Sequence, residues 1–392
     1  MNMEFFAESL AEICAHSLVA PGRPLRWVII ANPRAGGFVM RSRRKKSRQV
    51  LEACRAAAQS NPLRENCAPL ESVVEFGAGT ALAGCGLVPT RGPGSAAGIA
   101  RVLVNEAHTA LNKIDASVSQ ASAFQAAPFY LLITASGDGT SLEALSVLYH
   151  APVSVRSNIA VLRLPMGTGN DGADSPHLAR ALELLIKPSR IELTPAVRLI
   201  PASGKADGGL AESKGPFLAF NILSVGLDAF VTHMTNKMKG KFPGDFYKLW
   251  VDIAALLYDR LYTVGHLDIR ALDGQGGEVC SFREKLLLLA VGISGHRTYG
   301  SQKKILPDDR NVCALKQMSL LRKLALKGLF AAGTHIDKPE SILFNARRIE
   351  FSGEHPILAQ MDGETVLLQR EDFPAVMELT DPVIPVLKAA DQ

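Results

Sequence analysis

Short apolar runs rich in β-branched residues alternate with helical periodicities through the first half of this chain. RWVIIANP is followed by KSRQVLEACRAAA, SVVEF by SAAGIARVLVNEAHTAL, FYLLITASG by TSLEALSVLYH, and NIAVLRLP by SPHLARALELLIK and then RIELTP. In the segments between these runs the apolar residues recur at helical spacing. Strand, helix, strand order repeated in this way predicts a mostly parallel sheet with helices on both faces. Sheets of that kind bind ligands beyond the carboxyl ends of their strands. The loops after those strands are therefore where chemistry is expected.

The pattern changes near Pro195. PASGKADGGLAESKGP is a Gly/Ser/Ala-rich connection, predicted as a loop or hairpin tip. Beyond it FLAFNILSVG, HLDIRAL, EVCSFREKLLLLAVGI, RRIEFSG and ETVLLQ read as strands with few helices between them. DFYKLWVDIAALLYDRL and LLRKLALKGLFAAG are the exceptions, spaced as helices. The second half is thus expected to be an antiparallel, β-rich domain with helical insertions. The division anticipated is an extension over residues 1–22, an α/β domain over 23–194 completed by 375–392, and the β-rich domain over 195–374. A length of 392 residues agrees with two domains.

Composition narrows the class. With 47% hydrophobic and 21% charged residues the chain can build a sizeable core. Its six cysteines form no CxxC pair and no cysteine–histidine spacing suited to zinc, so they read as free thiols in a reducing compartment. The start, MNMEFFAESLAEICAHSLVA, has glutamates and no basic residue, opposite to a secretory signal. The apolar runs are shorter than the roughly 20 residues a membrane span needs. A cytoplasmic protein, at most peripheral to a membrane, is expected. The net charge of +5 is concentrated in RSRRKKSR, Arg41 to Arg48, where six of eight positions are basic. Such a run suits a nucleotide phosphate or an anionic lipid surface, or is a solvated helix start. No nucleic-acid partner is expected, and a homodimer is left open.

Candidate chemistry lies in three glycine-rich loops after strands. In IIANPRAGG, Asn32 ends a strand and Gly36 and Gly37 let the backbone approach a ligand. In ASGDGTSLEAL, Asp138 stands between Gly137 and Gly139, ahead of Thr140 and Glu143. In LRLPMGTGNDGAD come Gly167, Thr168, Gly169, Asn170 and Asp171. This last loop matches the dinucleotide fingerprint formally, as G-T-G-N-D-G, but Asp171 would repel a diphosphate and Asp174-Ser175-Pro176 delays the helix. No GxxxxGK[ST] sequence occurs, so if ATP binds here its phosphates must be held by backbone amides, hydroxyls and metal.

NPRAGG, SGDGTSLEAL and LPMGTGND, in this order and at these separations, resemble the catalytic domain of the diacylglycerol kinase, sphingosine kinase and bacterial lipid kinase family. FNILSVGLDA, LLRKLALKGLFAAGTH and QMDGE extend the resemblance into the second half. The resemblance implies an N-terminal three-layer, doubly wound domain like that of NAD kinases and phosphofructokinases, followed by a β-sandwich-rich domain. It also implies ATP and Mg2+ as cofactors and a lipid substrate at a membrane surface.

By the same resemblance Asn32, Gly36, Gly37, Gly137, Gly139, Thr140, Gly167 and Thr168 belong to the nucleotide, joined by Thr90 in TRGPGSAAGIA, by Asn170 and by Glu143, which braces the loop. Asp138 and Asp171 match magnesium-linked aspartates, with a third supplied by Asp308 or Asp309 in ILPDDRNV. Glu364 matches a general base, with Asp362 positioning it or the metal, and the aspartate matching Asp138 is the alternative base. The chain departs from the family pattern at Ser136, at Ala35 and at Asp174, where an arginine is usual. A silent lipid or nucleotide sensor, an NAD(P)-binding oxidoreductase and a soluble-substrate relative such as NAD kinase stand as competing readings.

Overall fold

The run after Arg23 forms β1 (Leu25–Ala31), in which only Arg26 is partly exposed, and β4 (Phe129–Ser136) is buried along its whole length. Both lie inside a sheet covered on two faces, where a strand must be apolar on both sides. The computed structural model describes residues 1–76, 80–113, 127–167, 170–203, 217–238, 253, 258, 262–299 and 303–390. They fall into two units, Met1–Thr194 with Pro382–Gln392, and Pro195–Asp381.

In the first unit the strands run β2 (Cys67–Pro69), β1, β4, β5 (Ile159–Pro165), β20 (Ile384–Ala389) and β6 (Ser189–Thr194), with β3 (Leu87–Pro89) also on β1. β1, β4 and β5 are parallel, with Ala31 opposite Ala135 and Ser136 opposite Pro165. The last strand, β20, is parallel to β5 and antiparallel to β6. Helices α1 (Met3–Ala15), α3 (Arg41–Ala58) and α8 (Leu178–Ile186) cover one face, and α5 (Ser95–Asn112) and α6 (Asp138–His150) pack on the other. Short helices α2 (Gly36–Val39), α4 (Thr80–Gly84) and α7 (Val153–Arg156) complete the connections. This is the α/β layer arrangement the pattern predicts.

Three details differ from the sequence reading. SVVEF, taken as a strand, lies in a 3-10 turn (Glu71–Phe76), because β2 pairs with Leu25–Trp27 and β3 with Ile29–Ala31, leaving it no place on β1. Residues 1–22 are not an appendage: Phe6, Leu10 and Ile13 of α1 share a fully buried core with Ile29, Ile133 and Leu185. The following loop is tied by Arg64, whose guanidinium donates to the carbonyls of Ser17, Val19, Ala20 and Arg23. Finally, the C-terminal return starts at Pro382. Ala375–Leu379 instead pairs inside the second unit, because its alternating inward side chains, Ala375 and Met377, fill that unit's core.

The second unit is an antiparallel sandwich. β7 (Val197–Ile200), β8 (Phe217–Ala219), β10 (His266–Leu272), β16 (Arg348–Gly353) and β19 (Ala375–Leu379) make one layer. β9 (Ile222–Gly226), β14 (Val312–Lys316), β15 (Ser341–Phe344), β17 (Ile357–Met361) and β18 (Glu364–Leu368) make the other. The 15-residue β11 (Glu278–Gly292) joins both: its first half pairs with β10, and after an irregularity at Leu286 to Leu288 its second half pairs with β9 and β14. Its polarity changes at the same place, from alternating to continuously buried. The outer face of the second layer is covered by α9 (Leu227–Met238), α10 (Leu320–Ala332) and the hairpin of β12 (Arg297–Tyr299) with β13 (Lys303–Leu306). Tyr258 joins the same cluster; it is one of two described residues, with Ile253, of the predicted helix DFYKLWVDIAALLYDRL. Among the described residues no helix is long and apolar enough to cross a membrane.

Truncating Phe6 to Ala removes a side chain of zero exposure from the first core. Denaturant unfolding is expected to show a loss of about 3–5 kcal/mol, where an appended helix would leave stability unchanged.

Candidate active site

The parallel register sets the site. Because Ser136 lies opposite Pro165, the residues that follow each strand emerge side by side. A Cβ on Gly167 would lie 2.5 Å from Gly137 Cα, so at this point the second and third loops meet backbone to backbone. The first loop joins them: Gly37 N–H donates to Met166 O at 2.8 Å, and a Cβ there would lie 2.6 Å from Met166 Cε and 3.3 Å from its Cα. Asp138 Oδ1 accepts the Gly172 N–H at 3.0 Å. Arg43 Nη1 donates to Gly167 O at 2.7 Å.

Around this contact the other expected residues take their places. Asn32 N–H donates to Ala135 O (3.1 Å) and its Oδ1 accepts the Arg34 N–H (2.9 Å), an Asx turn that redirects the chain into Gly36. Thr90 N–H donates to Ala31 O (2.8 Å), setting the third-strand loop beside the end of β1. Gly139 and Thr140 lie in the first turn of α6, whose N-cap, Gly137, supplies no side-chain acceptor. First-turn amides without such an acceptor suit an anionic ligand. Asn170 adopts a left-handed φ of 60°, and its Oδ1 is buried without a hydrogen-bond partner among the described residues. Asp171 follows, half-buried. Thr168 and Gly169 lie outside the described residues.

Glu143 has a defined task. Its two carboxylate oxygens accept the N–H groups of Gly94 (2.9 Å) and Ala96 (3.1 Å) at the start of α5. It braces the loop after Thr90, and an anion so placed is not itself a phosphate ligand.

The departure at Asp174 is answered by a residue that sequence reasoning passed over. Arg163, in the middle of β5, donates from Nε and Nη2 to Asp174 Oδ1 (3.1 and 2.8 Å), and its backbone N–H donates to Oδ2 (2.6 Å). Both side chains are buried, with 7% and 0% exposure. The signal was a lone charge within the apolar run IAVLRLP, since a charge in a buried strand needs a partner.

In the second unit the QMDGE segment forms a tight hairpin. Met361 pairs with Glu364, and the two turn residues have positive φ, 47° at Asp362 and 99° at Gly363. Positive φ at both central positions marks a type I′ turn, for which Asp-Gly is a preferred pair. Asp362 also uses its carboxylate: it accepts the N–H groups of Phe220, Asn221 (3.1 Å) and Ile222 (3.0 Å). It is therefore an anchor that fixes the hairpin and Glu364, which begins β18 half-buried.

Gln360, quoted in the motif but given no role, supports the turn from below. Its Oε1 accepts the Gly363 N–H (3.1 Å), and its Nε2 donates to Ser224 Oγ (3.0 Å) and Asp228 Oδ2 (3.1 Å). Asp308 and Asp309 differ sharply. Asp308 is held by the Arg310 guanidinium and accepts its N–H (3.0 Å); that hydrogen bonding lowers its pKa below the usual carboxylate value. Asp309 is exposed and meets His296 Nε2 at 2.9 Å. Among the described residues no three His, Cys, Asp or Glu side chains gather to hold a metal ion.

Comparison with known proteins agrees with the motifs. Residues 26–196 match the family model described as the diacylglycerol kinase catalytic domain. No curated protein sequence matches the chain. Among solved structures, one described as "a putative diacylglycerol kinase from Bacillus anthracis str. Sterne" superposes with a TM-score of 0.53 at 15% identity, covering 93% of this chain and 96% of that one. A second structure under the same description gives 0.51 at 15% identity, covering 92% and 96%. At that identity the likeness is one of fold. It supports the α/β domain and antiparallel sheet-rich domain seen here, and the match over 26–196 bears out the family resemblance of the motifs.

Two substitutions test this construction. Gly167→Ala forces a methyl group against the Gly137 backbone, and isothermal titration is expected to show weakened ATP binding. Asp174→Ala strands the buried Arg163 and is expected to cost about 3–5 kcal/mol of stability, whereas Arg163→Met with Asp174→Leu recovers part of it, the Arg163 backbone N–H still losing its carboxylate acceptor; urea unfolding of both variants checks this.

Proposed function

We propose that this protein is an ATP-dependent kinase whose acceptor is a hydroxyl group of a membrane lipid, of diacylglycerol or sphingoid type. The observation that carries the reading is the interlock of three glycine loops over residues that match a diacylglycerol kinase catalytic domain. Where the second and third loops meet backbone to backbone no side chain stands between them, and the first-turn amides of α6, at Gly139 and Thr140, are the donors proposed for phosphate in place of a Walker lysine.

In this reading the nucleotide is held by Asn32, Gly36, Gly37, Thr90, Gly137, Gly139, Thr140, Gly167, Thr168 and Asn170. Arg43, tied to Gly167 O, adds a positive charge at the third loop. Magnesium fits the residues present: it takes oxygen ligands and is often held by one or two carboxylates together with substrate phosphates. Asp138 and Asp171 are those carboxylates, and the buried Oδ1 of Asn170 is an oxygen of the same hard type. When bound, the ion would offset the charge on the transferring group. Asp309, exposed and without an arginine partner among the described residues, suits the role of third aspartate better than Asp308, which Arg310 neutralises.

Transfer forms a bond from the acceptor oxygen to the γ-phosphorus and breaks the bond to the ADP oxygen. The hydroxyl proton has to leave as this happens. Glu364 is the proposed base, and the Asp362 anchor holds it at the hairpin.

Glu364→Gln preserves shape and removes the base. Labelled phosphate transfer to a lipid panel is expected to fall about 10²–10⁴-fold with ATP binding retained. Wild-type protein that binds ATP yet labels no lipid would favour the silent sensor instead.

A further inference from the structure

Helix α10 is built inside out. Its exposed positions include Leu321, Leu324, Ala325, Gly328, Ala331 and Ala332, spaced as one helical stripe and wholly apolar. Leu321 is 79% exposed, Leu324 55% and Leu320 48%. The positions turned inward include Lys323 and Phe330, both buried. Phe330 fixes the helix to the unit through Tyr299 (5.7 Å between centroids) and His335 (4.6 Å). A single exposed leucine on a soluble protein needs no explanation, but an apolar stripe on the outward face of a fixed helix does.

The charges around the stripe say what covers it. From Leu320 to Ile336 the sequence holds no acidic residue, and Arg322 stands exposed beside the stripe while Lys323 is turned inward. The adjoining β13 adds Lys303 and Lys304. The neighbouring acids are Asp337 and Glu340, and Glu340 is paired with Arg322 at 3.0 Å. An apolar face with Arg322, Lys303 and Lys304 beside it has the composition of a helix that lies in a membrane interface. A second copy of the chain would bring its own cations against these, whereas anionic headgroups complement them.

We propose that the outward face of α10 docks on the surface of an anionic bilayer, with Leu321 and Leu324 entering the headgroup boundary. The docking fits a lipid acceptor but does not need turnover to be measured. Full-length protein is mixed with vesicles of phosphatidylcholine and phosphatidylglycerol in equal parts, or of phosphatidylcholine alone, and sedimented. Wild type is expected to pellet with the anionic vesicles and to be released by high salt. Leu321→Gln with Leu324→Gln is expected to lower partitioning at least about tenfold with an unchanged thermal midpoint.

In a separate variant, Leu321→Trp, the emission is expected to shift to the blue on adding anionic vesicles, a readout that needs no loss of binding. Undiminished vesicle binding by the double variant, or an unshifted Leu321→Trp spectrum, overturns the proposal. A lipid-free dimer that the double variant dissolves overturns it too, assigning the face to a second copy. Vesicle binding without phosphoryl transfer would sink the kinase reading alone. Transfer to lipid in detergent micelles, by a protein whose double variant still binds vesicles, would sink only the docking.

Discussion

The whole candidate site of the first unit hangs on one contact with no side chain in it. Gly137 and Gly167 meet through backbone because two parallel strands end in register, Ser136 against Pro165. Everything else is fastened to that contact: Met166 O receives Gly37, Gly167 O receives Arg43, and Asp138 receives Gly172. The ion pair of Arg163 and Asp174 then clamps the third loop back onto the strand it left. Backbone contact of this kind fixes a site tightly, since rigid peptide groups have far fewer conformations to lose than long side chains.

The second unit holds its candidate base by a different device. Asp362 accepts a left-handed backbone, which is unfavourable for a residue with a Cβ, and its carboxylate offsets that cost by taking the amides of the β8 to β9 corner. The buried network of Gln360, Ser224 and Asp228 supports the same turn from beneath. A common turn sequence and a functional motif are thus one object: the type I′ geometry points Asp362 at its amides and starts β18 at Glu364.

What the sequence made legible follows from period and context. FYLLITAS and NIAVLRLP read as buried parallel strands because their runs are apolar but for the lone Arg163, and the glycine loops followed from their places at strand ends. SVVEF misled because a short β-branched run becomes a strand only where a neighbour has unpaired edges, and β2 and β3 had taken them. Glu143 was legible as a brace but not as a cap of α5, since its partners lie far along the chain. Arg163 and Asp174 form a pair across eleven residues that no local periodicity announces. The stripe of α10 was hidden for the opposite reason: leucines at helical spacing imply a buried face, and only the fold tells which side of the helix is inside.

The place of β20 has a consequence for the order in which the molecule is made. It fills the sheet between β5 and β6, so the first unit is unfinished until residues beyond the entire second unit have joined it. Closing a loop of that length in a disordered chain would cost about 4–5 kcal/mol by the logarithmic rule. The second unit removes most of this, because its own ends meet: Thr380 N–H donates to Ala196 O at 2.8 Å, just before Val383 N–H reaches Thr194 O at 3.0 Å. The sandwich thereby acts as a folded splint that hands the last strand to a waiting gap. Assembly of the first unit's sheet becomes conditional on the domain that carries the candidate base, so a chain defective in one half does not readily complete the other.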